Sequence, residues 1–201
     1  MKNIVFDLAE VVFTRLNRFP KELEEYFTFV YDPREGVMPK FWVDFDRGLR
    51  TIDQVAEAVA ECCNDTFEEA KRKTMLSITY YDEIKATAEL IAELKERGYR
   101  VIILSNMSKE YIEYLRQKPV YRLIDEDLIS CEVGLVKPER AMYELLLERF
   151  GLDASQTMFI DDRKHNVDAA AELGITPYQF DNLNPEKSCD EIRRIIGIPK
   201  K

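Results

Sequence analysis

The sequence predicts an α/β protein: a Rossmann-like, doubly wound parallel sheet with a small α-helical subdomain inserted after the first strand. Two observations support this fold class. In the second half of the chain, short apolar runs alternate with amphipathic helical stretches that stop at glycines. A long span of helical character separates the first apolar run from the second. Strands that alternate with helices form a parallel sheet covered on both faces.

Five short runs rich in β-branched and aromatic residues are predicted as strands. Each run ends in polar residues, so polar side chains are expected where the strands end. The predicted strands are Ile4–Phe6, Val101–Leu104, Leu128–Ser130, Met158–Ile160 and Thr176–Phe180.

The helices of the core follow from an apolar period close to 3.6 residues. Asp82–Arg97 is the clearest case, with Gly98 as its C-terminal stop. Arg140–Phe150 stops at Gly151 and Asn166–Leu173 stops at Gly174 in the same way, and a final amphipathic helix is predicted at the end of the chain. This last helix is Ser188–Ile196.

About 80 residues between the first two strands have helical character instead of the expected short crossover. Thr51, with Gln54 three residues later, predicts a capping box at a helix start. We therefore predict a core of residues 1–14 and 81–201 and a helical cap of residues 15–80. Ligands of open α/β sheets bind beyond the carboxyl ends of the strands, so the cap would cover the site. The predicted cap helices are Lys21–Phe29, Thr51–Cys63 and Thr66–Ser77.

Composition excludes several functions. The 201 residues carry a formal net charge of −9 without a basic cluster, which argues against nucleic acid or an anionic membrane as the partner. No signal peptide or membrane-spanning run is present, and the cysteines lack zinc-ligand spacing, so a cytoplasmic protein with reduced thiols is expected. The single histidine, His165, excludes a His-rich metal site. The oligomeric state stays open.

Polar residues follow four of the predicted strands. Asp7 ends the first, Ser105 and Asn106 end the second, Lys137 follows the third, and Asp161 and Asp162 end the fourth. Individually these residues have ordinary explanations: aspartate, serine and asparagine form turns and cap helices, and lysine is usually a solvated charge.

Four parallel strands would nevertheless bring these groups to one edge of the sheet. Three carboxylates in one crevice repel each other unless a cation holds them, and hard oxygen ligands suit Mg²⁺. Lys137, Ser105 and Asn106 are complementary donors for phosphate oxygens. A carboxylate in such a site can attack phosphorus and form an aspartyl phosphate that water hydrolyses.

The segments "FDLAEVV", "LSNMS", "GLVKPE" and "FIDDRKHNVDAA", in this order, resemble the four motifs of the haloacid dehalogenase (HAD) superfamily. The resemblance spans essentially the whole chain and is closest to the phosphatase branch with a small helical cap, including glucose-1-phosphate phosphatases. It implies that Asp7 is the nucleophile and a Mg²⁺ ligand, and that Ser105 and Lys137 bind phosphate. It further implies that Asp162 and Asp161 serve the metal, while Asn166 stands where many relatives carry another aspartate.

The resemblance fails at Ala9. The family pattern is D-x-D, in which the second aspartate is the general acid-base, whereas the metal ligand at that position is a backbone carbonyl. The Ala9 carbonyl can therefore still bind Mg²⁺, but the proton donor is lost. Loss of a general acid costs about 10²–10⁴-fold in rate, or about 3–5 kcal/mol of barrier. Glu10 is a weak substitute because, as the next residue along, it is expected to point elsewhere.

Three functions remain compatible with these residues. The first is a Mg²⁺-dependent phosphomonoesterase for a small metabolite whose leaving group needs little protonation, such as an anomeric sugar phosphate. The second is a catalytically impaired module that binds phosphate or Mg²⁺ and serves regulation. The third is a haloacid dehalogenase, which needs Asp7 but gains nothing from the Asp161–Asp162 pair. The first is favoured because a site that only binds phosphate has little need for a nucleophilic carboxylate.

The cap segment "FWVDFDRGLRTIDQV" resembles the cap of small sugar-phosphate phosphatases. We expect Trp42 or Phe45 to stack on a sugar, and Asp46 or Arg47 to meet hydroxyls or phosphate. The alternative is an ordinary cap core with a solvated rim. His165, on the helix after the fourth strand, is expected at the surface.

Overall fold

The computed structural model describes residues 1–15, 20, 21, 23, 26 and 38–199. Five parallel strands form the main sheet, and a separate two-stranded antiparallel ribbon pairs β2 with β3. The strands are β1 (Asn3–Phe6), β2 (Phe13–Thr14), β3 (Asp82–Glu83), β4 (Arg100–Ser105), β5 (Glu126–Ile129), β6 (Thr157–Asp161) and β7 (Thr176–Gln179).

The sheet has the order β5-β4-β1-β6-β7, with β1 at its centre. The chain adds β4 and β5 on one side of β1 and then crosses to add β6 and β7 on the other, as a doubly wound sheet does. Val5 is in register with Ile102 on one side and Phe159 on the other. This confirms the predicted fold class and places the end of β1 at the topological switch point, where such sheets bind ligands.

Nine α-helices lie in the described part of the chain, and two 3₁₀ turns, Pro119–Leu123 and Ala154–Gln156, connect elements of the core. The helices are α1 (Lys40–Asp46), α2 (Ile52–Cys63), α3 (Phe67–Ile78), α4 (Lys85–Glu96), α5 (Lys109–Leu115), α6 (Ser130–Val133), α7 (Arg140–Phe150), α8 (Lys164–Ala171) and α9 (Pro185–Ile196).

Apolar residues cover both faces of the sheet. Ile4 and Phe6 of β1 face the cluster that contains Leu90 of α4 and Ile192 of α9, whereas Val5 faces the cluster that contains Met142 of α7. Successive side chains of a strand point to opposite faces, so a continuous apolar run is required when helices cover both. These buried strands hold the polar residues at their ends in fixed positions.

Helices α1, α2 and α3 lie in the chain between the two strands of the β2–β3 ribbon, in which Phe13 pairs with Glu83 and Thr14 with Asp82. The predicted capping box is confirmed, because Thr51 Oγ1 accepts from Gln54 N and Gln54 Oε1 accepts from Thr51 N. The division at residues 14/15 and 80/81 stays a prediction. The predicted helix Lys21–Phe29 falls almost entirely outside the described residues.

Three local predictions were wrong. Asp82 and Glu83 form a strand rather than the first turn of a helix, because they pair with the chain leaving β1. Ser130 begins α6 rather than ending β5, and its hydroxyl bonds to neighbouring loops. A helix at Lys109–Leu115 was not predicted. In the first two cases, contacts distant in sequence decided the local structure.

No helix in the described part of the chain is both long enough and apolar enough to cross a membrane.

Candidate active site

Asp7 lies directly after the central strand and is almost fully buried. Its backbone N–H donates to the carbonyl of Ile160 at 2.9 Å, which continues the β1–β6 pairing beyond the strand. Its Oδ1 lies 2.8 Å from Lys137 Nζ. Burial raises the pKa of Asp7, Lys137 opposes this shift, and Asp161 adds to it. At the switch point, burial and Asp161 therefore destabilise the ionised Asp7 carboxylate, and Lys137 stabilises it.

Lys137 bridges two carboxylates. Its Nζ lies 2.6 Å from Asp161 Oδ2 as well as 2.8 Å from Asp7 Oδ1, and its side chain is 2% exposed. Burial alone would lower the pKa of Lys137, but Asp161 and Asp7 more than offset burial, and the pKa is raised. The ammonium therefore stays charged at neutral pH between the two acids.

Asn106 holds the backbone of Lys137 from both sides. Its Oδ1 accepts from Lys137 N at 2.7 Å, and its Nδ2 donates to Lys137 O at 2.9 Å. The next peptide bond, Lys137–Pro138, is cis. The structure thus shows a positioning role for Asn106, while the phosphate contact expected of it stays a prediction.

The acids after β6 have different surroundings. Asp161 is fully buried and accepts hydrogen bonds from Asn166 Nδ2 at 3.0 Å and from Arg163 N at 2.8 Å, besides its contact with Lys137. Asp162 is partly buried. Burial raises the pKa of Asp162 to about 7, and Asp7 and Asp161 reinforce the shift. Besides the Lys137 ammonium, a further cation near Asp162 would relieve the repulsion among these acids.

The residues fit a divalent metal ion. Asp7, Asp161 and Asp162 each offer a carboxylate oxygen, and these three oxygens lie within 4.8 Å of one another. Asn166 Oδ1 is a fourth hard oxygen, buried and without a hydrogen-bond partner among the described residues. An all-oxygen donor set of this kind suits Mg²⁺. Ala9 lies two residues after Asp7, and the metal contact expected of its carbonyl stays a prediction.

Ser105 ends β4 and is fully buried. Its hydroxyl is close enough to lower the pKa of Asp7, yet Oγ completes no hydrogen bond within residues 1–15 and 38–199. A buried hydroxyl without a partner is costly, so its presence beside Asp7 is consistent with the predicted contact to a phosphate oxygen.

The cap residues separate into different environments. Trp42 is 1% exposed and packs edge-on against Tyr26, Phe45 and Tyr111. The structure therefore places the Trp42 ring in the cap core and not at the surface of the site. Arg47 forms a two-point ion pair with Glu139 and donates to Gly134 O, which ties the cap to the loop carrying Lys137.

Asp46 is a cap residue whose carboxyl group is affected by Asp7. Burial raises its pKa to about 7, Arg163 and Arg15 lower it, and Asp7 raises it. Glu10 has turned away, because its carboxylate accepts from Thr14 Oγ1 at 2.9 Å. His165 is at the surface, as expected.

Sequence reasoning underrated two residues of the site. Asn166 was noted only for the residue it replaces, although it holds Asp161 and presents a free buried oxygen. Its place at the start of the helix after the diacid was the available signal. Asp46 stood among four equivalent cap candidates, and the sequence contains no signal that separates it from its neighbours.

A model of the family "haloacid dehalogenase-like hydrolase" matches residues 1–174. The mouse protein "Acyl-CoA dehydrogenase family member 10" is 24% identical over 172 residues, which are 79% of this chain and 15% of that protein. A sesquiterpene phosphatase of Aspergillus oryzae is 31% identical over 110 residues, covering 54% of this chain and 55% of the relative. The chain thus spans about half or less of the length of these two relatives.

Two further comparisons cover nearly complete proteins. D-ribitol-5-phosphate phosphatase of Bacteroides thetaiotaomicron is 22% identical over an alignment of 205 positions, gaps included, which covers 94% of each chain. A crystal structure of a HAD-family enzyme from the same organism, in complex with magnesium and inorganic phosphate, superposes with a TM-score of 0.68. It is 22% identical and covers 90% of this chain and 95% of that one, and at this identity the likeness establishes the fold.

Proposed function

This chain belongs to the haloacid dehalogenase-like hydrolases, and we propose that within this family it is a Mg²⁺-dependent phosphomonoesterase that forms an aspartyl phosphate on Asp7. The proposed substrate is a small phosphorylated metabolite. One observation carries the proposal: the ammonium of Lys137 joins Asp7 to Asp161 inside a cluster of three carboxylates at the switch point. This cluster combines a nucleophile, a fixed cation and a metal site.

Each of these residues would have its own role in the reaction. Asp7 attacks phosphorus, and its carboxylate becomes the acyl phosphate. Lys137 neutralises charge on the phosphoryl oxygens, and Ser105 donates its hydroxyl to one of them. Asn106 fixes the backbone of Lys137, so the ammonium does not need to reorganise during the reaction. Bound to Asp7, Asp161 and Asp162, Mg²⁺ would supply further positive charge against the phosphate.

The two alternative functions are less well supported. A dehalogenase would have no use for a metal site, yet Asp162 is held beside two other acids in a setting that raises its pKa to about 7. A module that only binds phosphate would gain from Lys137 and Ser105 but would not need a buried carboxylate 2.8 Å from the ammonium. Such a carboxylate repels phosphate and is therefore explained best as the nucleophile.

The D-ribitol-5-phosphate phosphatase supports a substrate of the sugar or sugar-alcohol phosphate class, because it matches 94% of this chain. Anomeric sugar phosphates are the second candidate, since their leaving group needs little protonation and the chain has Ala9 in place of the family's acid. These two substrates differ in the basicity of the leaving oxygen, and a panel of substrates can separate them.

The test is release of inorganic phosphate with Mg²⁺ from an aryl phosphate, anomeric sugar phosphates and primary alkyl phosphates. We expect turnover of at least one class by the wild-type protein and a loss of about 10³-fold or more in Asp7→Asn. Equal rates for the two proteins on every substrate would overturn the proposal. Retention of Mg²⁺-dependent phosphate binding without turnover would favour the binding module instead.

A further inference from the structure

We propose that Asp46, supplied by the cap, is the proton donor and acceptor that replaces the acid missing at Ala9. This inference rests on the proposed phosphatase function. A primary alkyl leaving group needs a proton as its bond to phosphorus breaks, and Ala9 cannot supply one. Asp46 offers a carboxyl group from a different element at the same site.

The first observation is that the cap is fixed to the core at the backbone of Asp46. Ser130 Oγ donates to the carbonyl oxygen of Asp46, and the same Oγ accepts from the N–H of Met107. Residue 46 is therefore tied to the loop after β4, which begins with Asn106.

The second anchor is the pair of residues after Asp46. The Arg47 guanidinium donates to a Glu139 carboxylate oxygen at 2.6 Å and to the carbonyl oxygen of Gly134 at 3.0 Å. Gly134 precedes Lys137 in the chain, and Glu139 follows it. Gly48 has a φ of +79°, and a Cβ there would lie 2.6 Å from the carbonyl oxygen of Cys131. Only glycine allows the two backbones to approach this closely, so the position of Asp46 is set by the fold.

The third observation is the set of charges around the Asp46 carboxyl. Arg163 from the loop after β6, Arg15 from the segment after β2 and Asp7 from the end of β1 all act on it, and so does the backbone amide of Ser108 at the start of α5. Burial and Glu132 raise the pKa of the Cys131 thiol, and Asp46 adds to this shift. Groups from four different core segments thus converge on one partly buried carboxyl.

The other nearby carboxylates have different partners. Glu10 accepts from Thr14 Oγ1 and faces away from the nucleophile, and Glu139 is held by Arg47. Asp161 is saturated by Lys137, Asn166 and the N–H of Arg163. Asp162 belongs to the proposed metal site, so among these acids Asp46 remains as the proton donor. Its pKa near 7 allows it to be protonated or ionised at neutral pH, as an acid-base group must be.

Asp46 would give up a proton in the first step of the reaction and regain one in the second. Asp7 Oδ forms a bond to phosphorus while the bond from phosphorus to the ester oxygen breaks, and protonated Asp46 gives its proton to that oxygen, releasing an alcohol. Ionised Asp46 then takes a proton from the water that attacks the aspartyl phosphate. The bond from phosphorus to Asp7 breaks, which releases phosphate and leaves Asp7 ionised and Asp46 protonated.

The experiment compares Asp46→Asn with Asp44→Asn, a matched control two residues earlier in the same helix. Asp44 pairs with Lys40 at 2.7 Å at the surface of the cap. The readout is kcat/KM for an aryl phosphate and for primary alkyl phosphates, because this ratio reports transfer to Asp7. In Asp46→Asn we expect a loss of about 10²–10⁴-fold for alkyl esters and a change of about threefold or less for the aryl ester. Asp44→Asn should leave both unchanged.

A second readout follows from the acceptor role. With the aryl ester, Asp46→Asn should release a burst of phenol and accumulate phosphorylated protein, visible by intact mass spectrometry. Asp46→Asn combined with Ala9→Asp should recover alkyl turnover. Equal losses on both esters, or no loss on either, would overturn the assignment.

Failure of the proposed phosphatase function would give different results from failure of the Asp46 assignment. If wild-type and Asp7→Asn proteins are equally inactive on every ester, there is no phosphatase for Asp46 to assist. If Asp7 is required but Asp46→Asn behaves like Asp44→Asn, the phosphatase stands and the role of Asp46 is refuted. A misfolded variant is recognised by a thermal midpoint well below that of Asp44→Asn, and Asp46→Glu, which keeps the acid, then tests whether alkyl turnover is retained.

Discussion

The catalytic edge of the sheet (Asp7, Ser105, Lys137, Asp161 and Asp162) and the cap segment (Lys40–Gly48) contribute to the site in different ways. At the catalytic edge, every group follows a strand, and parallel strands end side by side. In the cap segment, residues on a short helix point in directions about 100° apart. Trp42 and Asp46, four residues apart, therefore lie on the same face of the helix, whereas Asp44 between them points to another side and pairs with Lys40.

This difference shows which parts of the site can be predicted from the sequence. Order along the chain is enough to collect the ends of parallel strands, because the sheet topology aligns them. The direction of a helical side chain depends on how the helix docks, and docking of α1 depends on Arg47, Gly48 and Ser130. Three predictions test the contrast.

The largest expected effect on stability concerns Trp42. Because its ring is fully buried among aromatic side chains, Trp42→Ala should lower the free energy of unfolding by about 3–5 kcal/mol. Leu49→Ala, at a residue that is 67% exposed, is the control and should change it by less than about 0.5 kcal/mol. Chemical denaturation measures both. Unchanged stability with a raised KM would instead show that Trp42 contacts the substrate.

A smaller effect concerns the acids of the catalytic edge. The folded protein holds the pKa of Asp162 near 7 against an ordinary 3.8, and that of Asp7 is also raised. At a pH between the ordinary and the folded-state pKa of Asp162, the metal-free folded protein binds more protons than the unfolded protein. The free energy of unfolding should therefore fall as pH rises from about 4 through 7. Mg²⁺ binds the ionised acids, so its stabilisation should be greater at pH 8 than at pH 5.

At about 100 times its dissociation constant, Mg²⁺ should add about 2.7 kcal/mol at pH 8. Thermal unfolding with Mg²⁺ or with a chelator measures this increment, and Asp162→Asn should reduce it. An increment that is independent of pH, or unaffected by Asp162→Asn, would contradict a metal site formed by these acids.

The smallest expected effect concerns Arg47. Its ion pair with Glu139 is partly exposed, and such pairs contribute about 0–1 kcal/mol. If Arg47 acts only by tying the cap to the core, Arg47→Gln and Glu139→Gln should have equal, small effects on stability and on KM. A rise in KM confined to Arg47→Gln would establish the substrate contact that the sequence suggested.

The catalytic edge could be predicted from the sequence because apolar runs mark buried strands and polar residues mark their ends. The same reasoning placed Lys137 near Asp7 before any distance was known. It did not foresee that both amide atoms of Asn106 hold the Lys137 backbone, because such contacts join residues 31 positions apart.

The sequence by itself determined the doubly wound sheet, the aspartate at its switch point and the absence of an acid at Ala9. Each of these follows from residue type and order along the chain. Only the tertiary structure set Asp46 apart from the other cap residues. Its backbone is fixed against the core because Gly48 permits a close backbone approach and Ser130 donates to the carbonyl of Asp46, and neither contact is local in sequence.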